Sequence, residues 1–190
     1  VDDANTAVEI AGTVTTLSVT ENAANADVTV AKGATVDSVT TVAENTTLNV
    51  SGTIKDVTVS ENANNATVST ETGAKVESVT TSGAGTTVSG SGTVSKVEAA
   101  EGSTGTTVET GGTTIENNSS ESVTTDKGSV DAGETGTTSG GTTSGGGSSS
   151  GGSSSGGHSH NYVDGVCTAN DGAYDPTWAQ VNSVETWNAA

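Results

Sequence analysis

The residue types best suited to metal or covalent chemistry are crowded at one end of the chain. His158 and His160 are its two histidines and Cys167 its single cysteine, in 190 residues. Imidazole and thiolate are the usual ligands of structural zinc, but such sites take four of them, normally in paired spacings such as CxxC. Asn170 stands three positions beyond Cys167, where a second cysteine would complete that pair. His158, His160 and Cys167 are therefore read as a polar segment with a free thiol, and no metal ligand is assigned. One cysteine leaves no internal disulfide.

Acid–base chemistry on sugars needs clustered carboxylates and a base to move a proton or hold a uronate. There is no arginine, and the five lysines (Lys32, Lys55, Lys75, Lys96, Lys127) are scattered without an acidic cluster recurring beside any of them. Asp27, Asp37 and Asp56 read as single acids at turn or outward positions, that is, as solvated charge. No catalytic or cofactor-binding residue is assigned, and the expectation is a protein that is not an enzyme. A formal charge of −18 with so few cations argues against nucleic acid and anionic membrane surfaces as partners, because both select basic patches. No run of about 18 apolar residues is present to span a bilayer. The start at Val1, without a signal-peptide pattern, is what a mature or excised piece would show.

Two other chemistries attach to the abundant threonine and asparagine. Ice binding requires Thr-x-Thr at one position of every coil, and Thr13-Val-Thr15 does not recur at 33–35 or 53–55. Sequons at Asn45, Asn49, Asn65, Asn117 and Asn118 permit N-glycosylation, although this composition generates them by chance.

The elements that would carry any site emerge from spacing. Val, Ile, Leu and Phe together number 30 of 190 residues, a share that normally signals disorder when joined to high net charge. Periodicity overrides that. Val8, Val28, Leu48, Val68, Val88 and Val108 stand twenty residues apart, while Val14, Ile54 and Val94, or Leu17, Val57 and Val97, return at forty. Gly12, Gly52 and Gly92 keep the longer spacing, so the unit is a pair of unlike coils. Within a coil the order alternates, as in Val28-Thr-Val30 and Val57-Thr-Val59. Alternating β-branched and polar residues bounded by Gly and Asn read as short half-buried strands. A fixed short period of such strands is the mark of a solenoid, in which stacking supplies the core that no coil has alone. The expected fold is all-β: a single-chain parallel β-solenoid of about six 20-residue coils over residues 1–130. "ESVTT" at 121–125 reads as a third copy of "DSVTT" at 37–41, with Val130 taking the place of the next coil's first valine.

From Asp131 to Gly157 no apolar side chain exceeds alanine, which reads as a flexible Gly/Ser/Thr linker with a reach on the order of 30 Å. Residues 158–190 hold all four aromatics (Tyr162, Tyr174, Trp178, Trp187) and read as a short tail or the start of a further module.

"GTVTTLSVTENAANADVTVAKGATVDSVTT" and "SGSGTVSKVEAAEG" resemble the valine–threonine β-solenoid repeats of surface proteins from gut Firmicutes, often found in chains that carry S-layer homology or other wall-attachment modules. The tail "HSHNYVDGVCTANDGAYDPTW" resembles the His-Tyr-Gly-Cys segments that follow such regions, where a second cysteine commonly completes a CxxC-like pair. The resemblance implies extracellular display at a bacterial surface, with surface glycans or other surface proteins as partners, and it supplies no catalytic residue. The expected function is a structural spacer or adhesin-like interaction module. The alternative is a β-helix that binds or cleaves glycans, to be recognised by a groove with convergent carboxylates and a lysine.

Overall fold

The computed structural model describes residues 1–139 and, further on, the paired strands at 162–163 and 166–167. Residues 1–139 form the expected parallel β-solenoid, without helix. Each coil contributes a short strand to one sheet and a long strand to the other. In chain order these are β1 (Ala7–Ile10) and β2 (Thr13–Val19), β3 (Asp27–Val30) and β4 (Thr35–Thr41), β5 (Thr47–Val50) and β6 (Thr53–Val59). The series continues with β7 (Thr67–Thr70) and β8 (Lys75–Thr81), β9 (Thr87–Gly90) and β10 (Thr93–Ala99), β11 (Thr107–Val108) and β12 (Thr114–Asn117). Short strands stack in the order β1-β3-β5-β7-β9-β11 and long ones in the order β2-β4-β6-β8-β10-β12, all parallel.

The ladder Val8–Val28–Leu48–Val68–Val88–Val108 is present as direct strand partners. The forty-residue period has a simple origin in the turns. The connection from short to long strand is two residues at 11–12, 51–52 and 91–92 but four at 31–34 and 71–74. The return connection compensates, with seven residues at 20–26, 60–66 and 100–106 but five at 42–46 and 82–86. Short strands therefore keep a constant step, while long strands advance alternately by more and by less. Val14 pairs with Val36 and Val36 with Ile54, so residues forty apart share a column without being neighbours.

Small side chains suffice because neighbouring strands lie about 4.8 Å apart, so each inward valine touches the one above and below. Val28, Val30, Val36, Val50, Ile54, Val76, Val88, Val94 and Val97 are fully shielded, each contributing roughly 1.5–3 kcal/mol by leaving water. Alanines at the corners (Ala23, Ala34, Ala43, Ala63, Ala74) are buried as well, allowing close turns. The long strands turn a corner of their own. In β2 and β6 two successive residues, Thr15–Thr16 and Lys55–Asp56, both face outward. That break in alternation bends the strand between Val14 and Leu17, or Ile54 and Val57, and keeps all four apolar residues facing the core.

Two hydrogen-bonded devices hold the turns. Asn5, Asn25, Asn45 and Asn65 share one position with φ of 54–59°, followed in the same column by Gly85 and Gly105. Asn is the non-glycine residue that best tolerates this left-handed region. Its amides form an axial ladder, each Nδ2 donating to the Oδ1 of the coil before at 3.1–3.3 Å. In the five-residue turns, buried Thr41 and Thr46 share a hydroxyl hydrogen bond at 2.9 Å, as Thr81 and Thr86 do at 2.7 Å. Thr46 and Thr86 donate to the Ala43 and Gly83 carbonyls at 2.9 and 3.0 Å. These satisfied hydroxyls let threonine occupy the lumen in the coils where the turn is tightest.

The last coil departs from the sequence reading. "ESVTT" does not return to the long-strand sheet: β13 (Val123–Thr125) instead stacks on β11, with Val108 opposite Thr125. Val130 lies in β14 (Gly128–Val130), which folds back antiparallel so that Val130 faces Val123. The folded part does not end at Val130 either. β15 (Thr135–Thr137) pairs antiparallel with β12, so residues 131–139 belong to the solenoid and not to the linker. These residues carry no apolar side chain larger than alanine and are held by backbone and hydroxyl hydrogen bonds instead. Thr138 Oγ1 accepts from the Thr113 amide at 2.8 Å and donates to the Thr110 carbonyl at 2.5 Å. Gly136 approaches Val130 so closely that a Cβ would overlap its Cγ2 methyl.

The truncation that matters thus lies at Ser139. Deleting 140–190 is expected to leave the β-sheet circular dichroism and the unfolding midpoint of the solenoid unchanged. Deleting 131–190 uncovers Ile115 and the β12 edge, and is expected to lower the midpoint by several degrees and promote self-association. Equal midpoints for the two truncations would show that β15 is not a cap. The remaining strands, β16 (Tyr162–Val163) and β17 (Val166–Cys167), form an antiparallel pair.

Candidate functional surface

Since every apolar column points inward, any site among residues 1–139 is an outward one. The lumen offers little: a void of about 10 Å³ lies among Val28, Leu48, Val57 and Val68, about the volume of one water and without the polar partners to hold it. Among the described residues no group of three His, Cys, Asp or Glu is placed to hold a metal ion. His158 and His160 lie outside the described residues, and Cys167 is described only as part of β17.

Lysines and acids do meet at coil spacing, which the scattered sequence positions concealed. Lys55 Nζ reaches Asp37 Oδ1 of the preceding coil at 2.5 Å. That hydrogen bond, with the charges of Asp37, Glu77 and Asp56 around it, holds the Lys55 ammonium above its usual range. Lys96 bridges Glu116 at 2.6 Å and Glu98 at 3.3 Å. Its hydrogen bond to Glu116 raises the lysine and lowers the carboxyl. The reading of Asp37 as an isolated solvated acid is therefore corrected: the alternating step of the long strands places residues 37 and 55 side by side. These groups stand on an open sheet face, with Lys55 and Asp37 side chains 52% and 41% exposed. Asp27 accepts from Asn49 Nδ2 at 2.9 Å, again between neighbouring coils. Exposed pairs of this kind are screened by solvent and act mainly to neutralise like charges along the stack.

A hydroxyl rank does form, although the spacing of Thr13-Val-Thr15 gave none. Thr13–Thr15 is adjacent to residues 35–37, which are Thr-Val-Asp, so no Thr-x-Thr rank forms on the long-strand sheet. The short-strand sheet carries one of a related kind: Thr47, Thr67, Thr87 and Thr107 are successive partners, and Asn49, Ser69 and Ser89 form the next outward column. Its regularity follows from the constant step of that sheet, a signal readable at 47, 67, 87 and 107. Such a face presents hydroxyl and amide groups at about 4.8 Å along the axis, a repeating hydrogen-bonding surface.

The sequons separate by environment. Asn45 and Asn65 are engaged in the amide ladder and Asn49 bonds Asp27. Asn117 is fully buried, whereas Asn118 is exposed. Asn117 is a residue whose role the sequence reading missed. Its Nδ2 donates to the carbonyls of Glu121 at 2.8 Å and Val130 at 2.9 Å, and its Oδ1 accepts from the Ser119 amide and hydroxyl at 3.1 and 2.7 Å. The column Val19–Thr41–Val59–Thr81–Ala99 ends on it, so the lumen is closed by an amide that ties down the turn to β13.

At the other end of β13, Asp126 accepts from the Ser139 amide through both oxygens, at 3.0 and 3.2 Å. Hydrogen bonding to Ser139 holds this carboxyl below its ordinary value. A carboxyl depressed by folding stabilises above the unfolded value, near pH 4, and that contribution is lost as pH falls through the lower folded value. Asp126→Asn is therefore expected to flatten the acid limb of the unfolding midpoint below about pH 4. A variant that follows the parent limb would show that Asp126 does not anchor the cap.

No family model matches the chain, and no curated protein or solved structure matches it. No helix among the described residues is long and apolar enough to cross a membrane. The class defined by residues 1–139 is the parallel β-solenoid.

Proposed function

We propose that this protein is a non-enzymatic spacer or adhesin-like interaction module displayed at a bacterial surface. The observation that carries this reading is the unbroken axial stacking of six short strands, β1 to β11, which gives residues 1–139 of a weakly apolar chain repeating outward ranks. A rod of stacked coils has little freedom to bend, since each coil is bonded along its strands to the next. The hydroxyl and amide columns at Thr47–Thr107 and Asn49–Ser89 suit a repetitive, hydrogen-bonding partner such as a surface glycan or another surface protein. The extracellular setting rests on the resemblance of the valine–threonine repeats.

The alternative, a polysaccharide-cleaving β-helix, needs carboxylates meeting a lysine, as Asp37 meets Lys55 and Glu116 meets Lys96, so the test addresses these pairs directly. The full chain is incubated with neutral and acidic polysaccharides while new reducing or unsaturated ends are measured. The expected result is none, with any retention on an immobilised glycan weakened by Thr67→Val and Thr87→Val together. Chain cleavage that proceeds with time and disappears in Lys55→Ala would overturn the spacer reading in favour of a polysaccharide-cleaving β-helix.

A further inference from the structure

The two ends of the stack are built differently. At the C-terminal end the outermost strands, β14 and β15, are three residues long and antiparallel to the strands they cover. Short, reversed edge strands are a common way to stop further pairing. At the N-terminal end the outermost strands are β1 and the seven-residue β2. Among the described residues nothing reversed covers them, and Val8, Ile10 and Val14 are only half-buried while their successors Val28, Val30 and Val36 are fully buried. β2 is TVTTLSV, without a charge, whereas β4, β6, β8 and β10 each carry at least one.

Residues 1–6 show what fits there. The Thr20 amide donates to the Val1 carbonyl at 3.0 Å, as Val42 does to Val19, Ser60 to Thr41 and Ser82 to Val59 at 2.8–3.0 Å. Val1 thus occupies the place of the last residue of a long strand, and its amino group donates to the Ser18 carbonyl at 2.7 Å. The Asn5 amide donates to the Ala24 carbonyl as Asn25 does to Glu44, and Asp27 to Thr6 as Thr47 does to Ala26. Residues 2–6 are therefore a five-residue turn of the same kind as 42–46 and 82–86, with Asn5 and Thr6 at the places of Asn45 and Thr46.

The geometry points to the β1–β2 end as an acceptor face for one more parallel coil of this repeat. The corner at Thr15–Thr16 nests on strands bent at the same place, as it already does on β4. A second copy meeting head to head must run antiparallel, whereas every pairing that β2, β4, β6, β8 and β10 make with one another is parallel. In the antiparallel register that sets Val8 opposite Ile10 of the copy, Glu9 meets its own counterpart, and like charges directly opposite are destabilising. The opposite end of another copy presents only its reversed three-residue edges.

The test extends the full chain by a repeat of residues 27–40 placed directly before Val1, so that its short strand aligns above β1 and its long strand above β2. The comparison is the same extension with the residues equivalent to Val28, Val30, Val36 and Val39 changed to Ser. The expected result is a higher unfolding midpoint, with amide hydrogen exchange across Ala7–Ile10 and Thr13–Leu17 slowed on the order of tenfold or more. The Ser-substituted extension should give neither. Unchanged exchange in the valine-containing extension would overturn the inference. So would an unextended chain whose β1 and β2 amides gain protection with concentration as it dimerises, since the face would then belong to a second copy.

Discussion

Val68→Asp is expected to destabilise the solenoid by roughly 4 kcal/mol or more at neutral pH, the scale of an uncompensated buried charge. Val68 is 1% exposed and stands between Leu48 and Val88 in the short-strand sheet. The lumen around it is mostly aliphatic, the Thr41 and Thr46 hydroxyls being already bonded to each other and to the Ala43 carbonyl, and its void is too small to hydrate a carboxylate. The cost depends on pH in a defined direction. Burial raises the folded-state value of the new carboxyl above the unfolded one, so the deficit is smallest when both states are protonated, near pH 3, and grows as pH rises through the unfolded value near 4. Val68→Ala, which removes only methyl groups, should cost about 2 kcal/mol with no such pH dependence. Because each coil relies on its neighbours, a defect at this central position weakens the stack on both sides. Denaturant titrations followed by circular dichroism at pH 3 and pH 7 measure all three quantities. An aspartate variant within about 0.5 kcal/mol of the parent, the range of surface substitutions, would mean that residue 68 does not face the lumen.

The second large effect is expected at the closed end. Asn117→Ala removes two donors and one shared acceptor at a fully buried position, leaving the Glu121 and Val130 carbonyls and the Ser119 amide without these partners. An unsatisfied buried polar group costs about 1–3 kcal/mol, so a loss of about 3 kcal/mol is expected. The loss should be local before it is global. Amide exchange across β13, β14 and β15 should accelerate while β4 to β8 keep their protection, since those coils have neighbours on both sides. Aggregation should follow as the edge of β12 is uncovered. If exchange accelerates evenly along the stack, or not at all, Asn117 is not the residue that fastens the cap.

The alternating valines, the glycines at forty and the six registers at twenty carried the fold, because a solenoid writes its stacking vector into the chain as a period. They also indicated which face each valine takes, since alternation within a strand leaves only one inward set. What they could not separate was the period of the residues from the step between neighbours. A forty-residue return is equally consistent with equal steps and with unequal ones. Only the folded turns, two and seven residues in one coil and four and five in the next, decide that Asp37 sits beside Lys55 and that Thr13 looks onto Thr35. The charge pairs were therefore placed by tertiary structure, whereas the hydroxyl rank at Thr47–Thr107, on the sheet of constant step, is already spaced in the sequence. The two ends of the stack mark the same limit. Near residue 110 the repeat stops, and periodicity carries no information about the residues beyond it. There the fold is settled by long-range hydrogen bonds of single polar residues, Asn117 to Val130 and Thr138 to Thr110. Such bonds carry no pattern in composition or spacing, because each satisfies one particular buried group that exists only once the coils have stacked.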